Sequence, residues 1–151
     1  MRYIAHRGLT HGPDKDLENK PSQIAKAIHE GFDCEVDLWA FIEDNRYQLF
    51  LGHDEPQYNV DYGFLAGQPL WIHAKNLTAL QWLIKQGKRF NYFWHQEDDF
   101  TLTSEGFIWT YPGKTLTKSS ICVMPEWNYD IAEFNFDCYG VCSDFVGLMK
   151  K

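Results

Sequence analysis

The chain predicts an α/β fold: a compacted barrel of about seven to eight strands, with several outer helices missing from its second half. Three features carry that expectation. Short apolar segments of strand length recur from Tyr3 to Ser143. Two amphipathic segments of helical period alternate with them in the first half, which implies right-handed parallel crossovers. From Asn91 to Ser143 the strand-like segments continue with no convincing amphipathic helix between them.

The first strand is expected over Tyr3 to His6 and the second over Phe32 to Trp39. The helix between them opens at Pro21, whose ring suits a first helical position. It shares an apolar face through Ile24, Ala27 and Ile28 and closes at Gly31. Tyr47 to Gly52 reads as a hairpin-like extension after the polar turn Glu43-Asp44-Asn45-Arg46. A third strand spans Leu70 to Ala74, entered through Pro69. A second helix follows, capped by Asn76, with Leu77, Leu80, Leu83 and Ile84 at helical spacing and Gly87 at its end.

Tyr92 to His95, Phe107 to Tyr111, Ile121 to Met124 and Tyr139 to Ser143 are the remaining strands, with Thr101 to Ser104 a short and weak addition. Ile131 to Phe136 is long enough for one helical turn or two. A parallel barrel normally covers every strand with a helix. The connections of the second half are too short for that, which leaves part of the outer wall bare. The chain carries eleven Phe, eight Tyr and six Trp. The helix-poor face is therefore a candidate homodimer surface, with irregular loops as its alternative cover.

Composition bounds the function. The 151 residues fit a single domain, 1-151, and a hydrophobic share of 44% argues against disorder. A net charge of -7 argues against nucleic acid as a partner, because phosphate backbones need clustered Lys and Arg. It leaves room for a small anionic substrate held by a few local cations or a metal. No apolar run reaches the ~18 residues of a membrane span, so no stable membrane insertion is expected. The chain enters Tyr3-Ile4-Ala5 directly after Met1-Arg2, and no signal peptide is expected. Cys34, Cys122, Cys138 and Cys142 are too irregular for a disulfide framework and read as reduced packing residues, which suggests a cytoplasmic setting.

Strand period decides which side chains can meet. Glu35 and Asp37 project from one face of the second strand, while Cys34 and Val36 project from the other. Apolar residues belong against helices, so the carboxylates point into the barrel, where burial is costly without compensation. A hard divalent cation, Mg2+ or Ca2+, fits oxygen ligands of this kind. A polar interior satisfied by Arg and Lys is the alternative. Trp71, His73 and Lys75 share a face of the third strand, which directs His73 and Lys75 toward the same place. Lys75 can neutralise a phosphate oxygen, and His73 can complete a metal site or bind substrate.

His6 ends the first strand, followed by Arg7 and by Gly8, which lets the chain turn. His53 and Asp54 follow Gly52 after a strand of their own. Two histidines near neutral pKa can divide general-base and general-acid work. His95 ends a later strand and can line the site mouth, whereas His11 and His29 read as solvated.

The order His6-Arg7-Gly8, Glu18-Asn19, Gly31-Phe32-Asp33-Cys34-Glu35-Val36-Asp37 and Gly52-His53-Asp54 resembles the glycerophosphodiester phosphodiesterase family. Gly140-Val141-Cys142-Ser143-Asp144-Phe145 resembles its last strand, and Ile72-His73-Ala74-Lys75 matches its third-strand motif less well. The resemblance implies a TIM-type barrel that cleaves a small-molecule phosphodiester with a divalent metal. It implies His6 and His53 as the acid/base pair, Glu35 and Asp37 as metal ligands, and Arg7 and Lys75 on the phosphate. Glu18 and Asn19 would support the site. In related phospholipases C and D the same barrel forms a cyclic phosphate by attack of a neighbouring hydroxyl.

Three departures stand out. His73 occupies the place of the third carboxylate ligand, and a nitrogen ligand favours Mn2+ or Zn2+ over Ca2+. Lys20 stands where the family usually has Thr. The chain is about 100 residues shorter than the usual barrel, and the loss falls in the second half. The pocket should therefore be open. Two other readings use the same barrel: a phospho-ligand binding module without turnover, and a metal-independent lyase like the inositol phospholipases.

Overall fold

A run of alternating polar and apolar residues, Asp33-Cys34-Glu35-Val36-Asp37-Leu38, builds the strand around which the sheet is organised. The structure is a computed structural model that describes residues 1–133, 135 and 137–150. The first strand, β1 (Arg2–Ala5), leads through a short 3-10 turn and a loop to helix α1 (Pro21–His29), and the chain returns in β2 (Asp33–Glu43). β2 outruns its alternating segment because its upper half pairs with the antiparallel strand β3 (Arg46–Leu51). Asp44 and Asn45 turn that hairpin with φ of 48° and 60°, the left-handed pair that suits a tight hairpin and that Asp and Asn tolerate.

Next come β4 (Tyr58–Val60), α2 (Tyr62–Leu65), β5 (Leu70–Ala74), α3 (Leu77–Lys85) and β6 (Asn91–Phe93). The second half holds β7 (Phe100–Leu102), β8 (Ile108–Thr110), β9 (Ser120–Val123), β10 (Gly140–Ser143) and the short α4 (Val146–Met149). β4, α2 and α4 were not expected, since segments of three or four residues carry too little periodicity to register. Asn76 caps α3 as predicted, its side chain accepting from the Ala79 N–H at 2.9 Å. Of the segment Ile131 to Phe136, Glu133 N–H closes a turn on the Asp130 carbonyl, while Phe134 and Phe136 lie outside the described residues.

The main path of the sheet runs β7-β8-β9-β10-β1-β2, with β5 and then β6 on the other edge of β2. All these neighbours are parallel except β7, which is antiparallel to β8. The path curls. Phe93 of β6 stacks on Trp109 of β8 with ring centres 4.4 Å apart. Beyond β6, the Ser104 N–H donates to the Tyr92 carbonyl at 2.8 Å. Ile4, Trp71, Phe93, Trp109, Ile121 and Cys142, from six strands, form one apolar cluster inside the curl. The architecture is mixed α/β, with a curled sheet and few helices, compatible with a partial barrel.

The outer face has its own core. α1 and α3 pack on β2, α3 also on β5, and α4 on β1 and β10. Ile24, Ala27, Val36, Leu38, Ile72 and Leu83 are buried between these layers. Among the described residues no α-helix lies between α3 and α4. Phe100 and Leu102 stay exposed on the uncovered side. No helix among the described residues is long and apolar enough to cross a membrane.

Burial on β5 and exposure on the hairpin make a paired stability test. Ile72 is fully buried whereas Ile42 is 60% exposed. Urea unfolding of Ile72→Ala should show a loss of about 2–5 kcal/mol, and Ile42→Ala a change within about 0.5 kcal/mol.

Candidate active site

Groups at the ends of the parallel strands β1, β5 and β6, on the inner face of β2 and after the antiparallel β3 converge on one cavity of about 380 Å³. His6 and Arg7 come from the end of β1, Glu35 and Asp37 from β2, and His53 from just beyond β3. His73 and Lys75 come from the end of β5. His95 follows β6 and lies on the same wall, as anticipated. Every side chain expected to carry chemistry or bind phosphate or metal therefore lines this cavity.

Asp37 is the hub. It is 1% exposed, and its carboxylate accepts from Asn19 Nδ2 at 2.8 Å while its own N–H donates to Asn19 Oδ1 at 2.9 Å. Arg7 Nε lies 3.4 Å from one carboxylate oxygen, and His73 Nδ1 and Lys75 Nζ lie 3.1 and 3.7 Å from the other. Burial pushes this carboxyl up, but His73, Arg7 and Lys75 together hold it well below the usual range. Glu35 shifts the opposite way, raised by burial and then by the charge of Asp37. The Arg7 N–H donates to Glu35 at 3.1 Å, and the Arg7 guanidinium to Glu18 at 2.8 Å. Glu18 and Asn19 thus support the site through Arg7 and Asp37.

The backbone is bent to reach these contacts. Arg7 has φ 52° and Asn19 φ 59°, and the Asn19 N–H donates to the Arg7 carbonyl at 2.9 Å, locking the two together. Non-glycine residues in this region concentrate where surrounding contacts over-determine them, often at functional sites. The turn also explains why His6 leaves β1 rather than ending it.

Each histidine of the expected pair has a carboxylate on Nδ1. Asp144 sits 2.8 Å from His6 Nδ1, and Asp54 sits 2.7 Å from His53 Nδ1. Each carboxylate accepts the Nδ1 proton, which leaves Nε2 as the working nitrogen. The environments differ. For His6, burial is outweighed by the Asp144 hydrogen bond and the charge of Glu35, and its pKa lies above the ordinary value. For His53, burial leads and Arg7 and Lys75 add to it, so its pKa lies below the ordinary value despite Asp37 and Asp54.

Asp144 has a part in the site that spacing along the chain could not show, because 138 positions separate it from His6. Glu126 is a second such residue, accepting the Asp144 N–H at 3.2 Å. The aromatic wall opposite the charged groups, Trp94, Trp109, Tyr111 and Trp127, is a third. Its residues lie in or after β6, β8 and β9, and only the curl of the sheet turns them toward His6.

Glu35, Asp37 and His73 offer ligand atoms that all lie within 4.8 Å of one another and could hold a metal ion. The fit shows in how His73 is held. Its Nε2 lies 2.8 Å from the His95 carbonyl, an acceptor only, which leaves Nδ1 facing the two carboxylates. A metal-binding histidine usually has its other nitrogen tied in this way.

Two measurements check this geometry. Asp144→Asn removes the charge that raises His6, so the His6 pKa read by NMR titration should fall. Asn19→Ala strands the buried Asp37 N–H and should cost about 1–3 kcal/mol in urea unfolding. Comparisons with family models, with curated proteins and with solved structures return no match to this chain.

Proposed function

We propose that this protein is a metal-dependent phosphodiesterase acting on a small, glycerophosphodiester-like substrate, on a shortened relative of the TIM-type barrel. One observation carries the reading: two carboxylate-tethered histidines face one cavity together with Glu35, Asp37 and His73, at the end of the sheet where β1 and β5 finish. Sites of that kind gather at such strand ends.

Glu35, Asp37 and His73 would hold a divalent ion, which supplies charge against the phosphoryl oxygens and lowers the pKa of an attacking hydroxyl. The protein's own groups divide the rest. The lowered His53 is the free base near neutral pH and takes the proton from the attacking hydroxyl, of water or of a neighbouring substrate carbon, as its oxygen bonds to phosphorus. The raised His6 is the protonated partner and gives its proton to the leaving oxygen as the P–O bond breaks. Arg7 and Lys75 face the same cavity and offset the diester's charge. The aromatic wall excludes water and receives an ester arm. The four free cysteines fit a reducing, cytoplasmic setting, and the uncovered side with exposed Phe100 and Leu102 is where a second copy would pack.

A second reading draws on a different observation. Arg7 and Lys75 already lie beside Asp37, so the interior is partly satisfied by cations, as a phospho-ligand binding module without turnover would allow. Catalysis on a phosphodiester separates the two. A chromogenic aryl phosphodiester and glycerophosphodiesters should be cleaved, with the reaction stopped by a chelator. His6→Ala and His53→Ala should each lower kcat by about 10²–10⁴-fold. Full activity with both replaced, or thermal stabilisation by the diester with no product, would overturn the reading.

The pH profile should be bell-shaped. Activity rises as pH climbs through the lowered His53 value, where the base loses its proton, and falls as pH climbs through the raised His6 value, where the acid loses its own. A profile with a single limb, unchanged by His53→Ala, would contradict these roles.

A further inference from the structure

We propose that His73 makes this centre select a first-row transition ion, Zn2+ and then Mn2+, over Mg2+ and Ca2+. The selection presupposes the metal-dependent reading of the same site and adds the identity of the ion.

The direction of the His73 ring carries it. The His95 carbonyl oxygen only accepts hydrogen bonds, so the proton of His73 sits on Nε2, 2.8 Å from it. Nδ1 is then the ring nitrogen left for a metal, 3.1 Å from the Asp37 carboxylate. A divalent ion would sit between this nitrogen and the carboxylates of Glu35 and Asp37, whose ligand atoms all lie within 4.8 Å of one another. The ring is held in this direction. It stacks on Phe93 at 5.1 Å with an angle of 9° between planes, and β5 register sets His73 beside both Asp37 and Phe93. The loop that presents the His95 carbonyl is tied as well, since the His95 ring donates to the Asp98 carbonyl at 2.6 Å.

A preformed nitrogen donor changes which ion gains most. Mg2+ and Ca2+ prefer oxygen ligands throughout, and Mg2+ sheds its waters reluctantly. Imidazole suits zinc and other transition ions, and for a given mixed site affinity rises from Mn2+ to Zn2+. Two carboxylates with one imidazole also leave coordination positions open for phosphate oxygens, as a catalytic rather than a structural centre requires.

The experiment uses the full chain stripped with chelator. Binding of Zn2+, Mn2+, Mg2+ and Ca2+ is measured by calorimetry, and the Mn2+-loaded protein is examined by pulsed electron paramagnetic resonance for coupling to a bound imidazole nitrogen. Mn2+ should bind at least about tenfold tighter than Mg2+, and Zn2+ tighter still. The nitrogen coupling should be present in the unaltered chain and absent in His73→Gln, whose Mn2+ affinity should fall about tenfold or more. Mg2+ or Ca2+ binding as tightly as Mn2+, or bound Mn2+ without nitrogen coupling, overturns the selection. Either result leaves the phosphodiesterase reading intact if diester cleavage still needs the ion. Failure of every ion to bind overturns the selection too, and activity in chelator then decides separately whether the enzyme is metal-free. The spectrum of the unaltered chain decides the matter even where His73→Gln fails to fold.

Discussion

A buried carboxylate must be compensated or it cannot stay ionised, and Asp37 imposes that requirement on the whole upper end of this sheet. Its four partners come from three separate places: Arg7 after β1, Asn19 from the loop before α1, and His73 and Lys75 from the end of β5. Satisfying one side chain therefore aligns β1, β2 and β5 and pulls the loop over Arg7. The same requirement accounts for the left-handed backbone at Arg7 and Asn19. These conformations are unfavourable alone and persist because each places a donor within reach of Asp37 or Glu35.

β2 divides the molecule by its two faces. Cys34, Val36 and Leu38 meet the helices, and Glu35 and Asp37 meet the interior. Inside the curl Ile4, Trp71, Phe93 and Trp109 form an apolar layer that meets the ionisable groups, Phe93 against His73 and Trp109 at the cavity. Large aromatics fill the interior of a sheet that has few helices outside it. That gives the strands after α3 a role despite their missing cover: β6 supplies Phe93, on which His73 is stacked, and the later strands supply most of the aromatic wall of the cavity.

The two histidines carry the same kind of tether and different charges in their surroundings. Asp144 is nearly buried, 6% exposed, whereas the Asp54 side chain is 71% exposed. A carboxylate in a poorly solvated place holds the His6 proton strongly. One in solvent holds the His53 proton weakly, and burial of the ring then prevails. Pairs of titratable groups pushed in opposite directions are what acid/base division needs.

Much of this was legible in the residues themselves. The helix opened by Pro21, the helix capped by Asn76, the hairpin after Glu43-Asp44-Asn45-Arg46 and the strand at Leu70 to Ala74 follow from local chemistry, and the structure has them. So does the inward pairing of Glu35 and Asp37 with His73, because a period of two along parallel strands in register leaves no other face for them. β2 runs on past Trp39 to Glu43, since its last residues are held by a hairpin partner rather than by their own pattern. The tether of His6 by Asp144, the aromatic wall and the locking of His73 by the His95 carbonyl were decided only by tertiary structure. Each joins groups far apart in the chain, and such contacts depend on strand order and on the curl of the sheet. Local periodicity sets which face a residue occupies; it carries no information about what closes over that face.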